Sequence, residues 1–159
     1  MHHPPDTELV LDAHLAQWVV RTFTRILGLT SMVVGLSIIL GGKPRFMSIS
    51  YDAALSAPGA PWSWGAWALL GGGLITIGSV AKRPRTIVFG AWISACWAFL
   101  FAGSFVIVFL REPNSAGTPM YVYGFLGLLF GMVGGVHYAM HPVRVHNRLR
   151  PSRTRKAPL

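Results

Sequence analysis

The chain has 159 residues, 52% apolar and 12% charged, with mean hydropathy +0.49 and 14 basic against 5 acidic residues for a net charge of +9. That length suits one helical bundle with no appended soluble domain. A pI near 10.9 in a soluble protein would point to nucleic acid, so the placement of the charge has to be read before its amount.

Four apolar stretches, at about 26–42, 64–81, 86–110 and 121–140, contain no Asp, Glu, Lys or Arg. A helix needs about 20 apolar residues to cross the hydrocarbon core. Backbone groups in lipid must pair within their own segment or in a closed barrel. The runs are continuous rather than alternating, which excludes a barrel reading. The expectation is an all-α, integral membrane four-helix bundle.

The leader, 1–25, holds Asp6, Glu8 and Asp12, where a secretory signal would be basic, so the first span reads as a retained anchor. Asp6 or Thr7 is placed to cap a helix that starts before the membrane does. Leu11, Leu15, Trp18 and Thr22 share one face of that helix. Such an amphipathic leader either lies on the inner surface or extends the first span into the cytoplasm. Gly41, Gly42 and Pro44 end the first span.

The loop from 43 to 63 is the longest connection, and its length hints at a role beyond joining helices. Pro58 and Pro61 flank Gly59 and Ala60 in a turn-like arrangement, and the middle has room for a short interfacial helix. The connection at 82–85 contains Pro84 and reads as a tight helix hairpin. The connection at 111–120 is turn-rich, with Pro113, Asn114, Gly117 and Pro119. From His141 the chain is basic and carries Pro142, Pro151 and Pro158, a composition expected of a mobile tail.

Basic residues mark the cytoplasmic side of a span. Arg21 and Arg25, then Lys82, Arg83 and Arg85, then Arg144, Arg148, Arg150, Arg153, Arg155 and Lys156 all fall on one side, 11 of the 14 basic residues. Only Lys43, Arg45 and Arg111 fall on the other. Both termini are therefore expected inside. Trp62, Trp64 and Trp67, with Tyr121 and Tyr123, are expected in an aromatic belt at the outer interface. The tail residues Arg144, Arg148, Arg150, Arg153, Arg155 and Lys156 lack interleaved aromatics, so anionic lipid is the expected contact and nucleic acid is not.

Small residues recur every four positions on two spans. The third carries Gly90, Ser94, Ala98 and Ala102; the fourth carries Gly127, Gly131, Gly135 and Ala139. Each set lies on one helix face. Small faces let helix backbones approach closely, serving either internal packing or self-association.

Transport chemistry usually needs an ionisable group in the bilayer. No carboxylate lies in the spans, which argues against the small multidrug transporters. His137 and His141 stand at a spacing that suits a shared metal, but no third Asp, Glu or Cys ligand lies nearby in sequence, so no metal site or cofactor is expected. Ser104 and His137 fall at opposite depths, which excludes a proteolytic pair; Ser104 is expected to bond a carbonyl of its own helix. Cys96 reads as a small packing residue. No catalytic constellation is expected.

The segment GGKPRFMSISYDAALSAPGAPWSWGAWALLGGGLITIG adds a comparison. Arg45 and Phe46, then Tyr51, then Pro58, Gly59, Ala60 and Pro61, then Trp64 and Gly65 lead into a glycine-rich span. In these features the chain resembles small four-span membrane proteins of actinobacterial phages, some assigned as holins. The resemblance implies a non-enzymatic protein that self-associates in the host inner membrane and opens it, so that an endolysin reaches the cell wall. The other reading is a non-lytic accessory subunit of a membrane complex, with the loop at 43–63 as its contact surface.

Overall fold

The computed structural model describes residues 6–46, 48–112 and 117–149, with side chains for all of these but 6–13, 45 and 141–149. The described residues form four long helices and one short one: α1 (Asp6–Gly41), α2 (Asp52–Leu55), α3 (Trp62–Val80), α4 (Pro84–Arg111) and α5 (Thr118–Leu149). Four are long and apolar enough to cross a membrane, over His14–Gly41, Trp62–Val80, Pro84–Arg111 and Thr118–Met140. α1 continues without a break through the junction placed at residue 25, so the leader extends the first span. α5 likewise runs past Met140 and Pro142 to Leu149, where a mobile tail was expected. The remaining tail residues, Arg150, Arg153, Arg155 and Lys156, lie outside the described residues, as do residues 113–116 of the connection expected at 111–120.

The long helices pack in chain order, α1 on α3, α3 on α4 and α4 on α5. Glycine explains the first two seams. A Cβ on Gly35 would lie 2.6 Å from the Gly65 carbonyl oxygen, and one on Gly72 would lie 2.6 Å from that of Gly28. Gly28 opposite Gly72 and Gly35 opposite Gly65 are seven residues apart on each helix, the register of an antiparallel pair. Between them the Ser31 hydroxyl donates to the Ala68 carbonyl at 2.9 Å. One residue earlier on α3, Gly71 and Gly78 face α4 instead: a Cβ on Gly90 would lie 2.8 Å from the Gly71 carbonyl oxygen, and one on Gly78 would lie 2.8 Å from the Ile87 nitrogen. Neighbouring helix positions differ by about 100°. The alternation Gly65, Gly72 against Gly71, Gly78 therefore seats α1 and α4 on two sides of α3. In lipid this close van der Waals packing stands in for the hydrophobic drive.

α4 is the central helix, with half of its most apolar stretch buried against 22% for α5. α1 and α5 form no comparable seam, although Leu27 of α1 and Phe130 of α5 meet in one apolar cluster with Ile75 and Ile87.

The chain reverses sharply twice at opposite ends. Gly42, at φ 55°, closes α1. After α3 the Arg83 N–H donates to the Gly78 carbonyl at 2.8 Å, with Lys82 left-handed at φ 54° between them. That is a Schellman closure with lysine in the place glycine usually takes.

Candidate functional site

The two small-residue stripes behave differently. Gly90, Ser94, Ala98 and Ala102 are all buried within the bundle. Gly90 takes the backbone of α3, and Ser94 lies against Gly71. This stripe is spent on the fold.

On α5 only the first member is used in the same way. A Cβ on Gly127 would lie 2.9 Å from the Phe99 ring. Gly131 and Gly135 have nothing within 4 Å of an added Cβ, and neither has Gly124 on the same face. Gly135 and Ala139 are exposed. Leu128 and Met132 flank this strip and are 58% and 65% exposed. The result is a shallow glycine-floored groove along the outside of the bundle. Another helix can approach its backbone there at the distance α1 keeps from α3.

Aromatic side chains fill the interior of the bundle toward the end that carries the 43–63 loop. Trp97, Phe101, Phe105, Trp64 and Tyr123 form a chain of ring contacts, with Phe101 and Tyr123 centroids 4.7 Å apart and Trp64 and Phe101 at 5.1 Å. Trp64 and Tyr123 therefore turn inward, whereas Trp62, Trp67 and Tyr121 keep the exposed positions expected of an interfacial belt. The loop at 43–63 closes this end. Its 3-10 turns Lys43–Phe46 and Ile49–Tyr51, followed by α2, direct Phe46, Tyr51, Ala54 and Leu55 onto the aromatic core. Tyr51 sits edge-on to both Phe46 and Phe105, at 5.0 and 5.1 Å. The Trp64 indole N–H donates to the Ala54 carbonyl at 2.8 Å and ties the loop to α3. Gly59, at φ 75°, makes the turn that the flanking prolines implied.

Other chemistry-bearing residues are held apart. The Ser104 hydroxyl donates to the Phe101 carbonyl at 2.6 Å, as expected of a serine within an apolar helix. His137 is buried at the far end of the bundle, its Nδ1 3.0 Å from the Val133 carbonyl. Ser104 lies about 30 Å along α4 from Pro84 by helical rise, whereas His137 shares a cavity with Pro84. Among the described residues no three His, Cys, Asp or Glu side chains form a metal-binding group. Cys96 is exposed on the outer face of α4 rather than packed, a correction to its reading as core. Arg144 and Arg148 fall on the last turns of α5, beyond the described side chains.

Gly28 and Gly35 carried no signal of their own in the sequence, and nothing there paired them with Gly72 and Gly65. Their joint signal is two matching seven-residue spacings on consecutive helices, which becomes visible only when the helices are paired antiparallel.

No protein-family model, curated protein or solved structure matches the chain. Length, hydropathy and packing define its class: a multi-pass helical membrane protein of four spans.

Proposed function

We propose that this chain is a holin-like lysis protein: it self-associates laterally through α5 in a bacterial inner membrane and opens the bilayer between copies. The observation that carries this reading is the open glycine strip of Gly124, Gly131 and Gly135 on the side of α5 turned away from α4. The aromatic plug at the capped end of each bundle favours a lesion lined by several copies over a channel within one. The role is non-enzymatic, both termini face the cytoplasm, and an endolysin is the functional partner. The basic tail, Arg144 to Lys156, contacts the anionic leaflet.

The accessory-subunit reading relied on the loop at 43–63 as an open contact surface. Phe46, Tyr51 and Ala54 turn inward, and Trp64 pins the loop, which favours a structural cap there instead.

The experiment is induced expression in a bacterial host, with and without a coexpressed endolysin, while membrane potential and optical density are followed. Abrupt depolarisation with endolysin-dependent lysis, delayed or abolished by Gly131→Leu, is the expected result. Normal potential at confirmed membrane expression would overturn the lytic reading.

A further inference from the structure

At the end of the bundle opposite the aromatic cap, a cavity of about 240 Å³ opens between α1, α3, α4 and α5. Arg21, Arg25 and Lys82 line it, together with Thr24, Ser79 and His137. Among the described residues no carboxylate lines it. The Ser79 hydroxyl is buried there without a hydrogen-bond partner. Three cations and a free hydroxyl converging on one cavity form a recognition set for a phosphate group.

Two features say that the phosphate belongs to a lipid. The first is depth. Arg21 lies 20 residues before Gly41 on one straight helix, about 30 Å by helical rise and thus one hydrocarbon thickness from the capped end. α3 gives the same answer independently: its 19 residues from Trp62 to Val80 span about 28 Å and bring the chain to Lys82. The cavity therefore opens where phospholipid headgroups lie. The second feature is an adjoining, mostly apolar groove of about 570 Å³ between α4 and α5, walled by Val88, Phe89, Trp92 and Tyr138, with Arg85 also on its lining. Pro84 and His137 border both spaces. A polar cavity that runs into an apolar groove on the membrane-facing side matches an amphiphile, with headgroup in one and acyl chain along the other.

Lys82 adds a second argument. A lysine at positive φ is disfavoured where glycine would close the helix without strain. Lys82 is one of the three basic residues lining the cavity, which gives that choice of residue a use.

We propose that Arg21, Arg25 and Lys82 form a binding site for the phosphodiester headgroup of an anionic phospholipid, with an acyl chain in the groove at Val88 and Trp92. The site stands independently of the lytic reading and is distinct from the basic tail.

The test uses the full chain in mild detergent with an equimolar mixture of phosphatidylglycerol and phosphatidylcholine. Retained lipid is read by native mass spectrometry and stability by thermal melting. The expected result is preferential retention of phosphatidylglycerol, cut about a hundredfold in the Arg21→Gln/Arg25→Gln/Lys82→Gln variant at roughly fivefold per cation. Neutralising Arg153, Arg155 and Lys156 to Gln removes the same charge and should lower the preference far less. Lys82→Gly should lower phosphatidylglycerol retention while the melting temperature holds or rises, which separates binding from folding. Val88→Trp should fill the groove and reduce retention of the two-chain lipid. Equal retention of both lipids by the wild type, or equal losses from the cavity and tail variants, would overturn the site. A melting shift from inorganic phosphate as large as that from phosphatidylglycerol would overturn its assignment to lipid.

Discussion

Glycine is used in two opposite ways along this bundle. Between α1 and α3, Gly35 and Gly65 bring backbone against backbone, so close that a single methyl group on either would collide with a carbonyl oxygen. Along the outer side of α5, Gly131 and Gly135 have the same chemistry and regular spacing but nothing against them. In water such a strip would cost little and say little. In lipid, where helices associate through packing rather than through exclusion of water, an unfilled close-approach surface is an offered contact. The difference teaches that a small-residue motif has no fixed meaning until the neighbouring helix is placed.

The strongest way to break this comparison is to put the same bulk on both surfaces. Gly35→Leu should destabilise the fold by about 3 kcal/mol or more, since neither the Gly65 carbonyl nor the backbone of α3 can retreat cheaply. Denaturation in mixed detergent would read that loss. Gly131→Leu should leave the same denaturation midpoint within about 0.5 kcal/mol. Its effect belongs in association instead: roughly a tenfold weaker self-affinity in bilayers, about 1.4 kcal/mol, read by energy transfer between labelled copies as lipid is diluted in.

Smaller effects sharpen the account of the capped end and of the seam. Trp64→Phe keeps the ring contact with Phe101 but removes the indole donor to Ala54. A cost of about 1 kcal/mol is expected, with faster amide exchange over residues 52–56 and little change in α4. Ser31→Ala removes a hydroxyl that bridges α1 to the Ala68 carbonyl and should cost only about 0.6 kcal/mol, the usual scale for hydrogen bonds between helices in a bilayer. If Ser31→Ala proved as damaging as Gly35→Leu, the seam would depend on polar contact rather than on close approach.

Much of this architecture is legible from sequence because lipid imposes a simple rule. Four uncharged apolar runs must pair their own backbone groups, so they are helices. The charge asymmetry also has a structural counterpart, since Arg21, Arg25 and Lys82 meet at one end of the bundle. What could not be read was facing. The stripe from Gly90 to Ala102 and the stripe from Gly127 to Ala139 look alike in one dimension, yet the first is consumed by α3 and most of the second is left outside. Trp64 and Tyr123 sit beside exposed aromatics in sequence but turn into the core, one by its indole bond to the loop and the other by meeting Phe101 edge-on and stacking on Phe105. The loop at 43–63 was ambiguous for the same reason. Its Phe46, Tyr51 and Ala54 are spaced by turns rather than by a regular helix, so no periodicity announces their common inward face.

The most direct measurement is self-association of the full chain in lipid vesicles, compared between wild type and Gly131→Leu/Gly135→Leu across a wide range of protein-to-lipid ratios. Concentration-dependent energy transfer is expected for the wild type, and a near-monomeric state with an unchanged unfolding midpoint for the variant. Equal association of the two proteins, or a wild type that stays monomeric at every ratio, would contradict it.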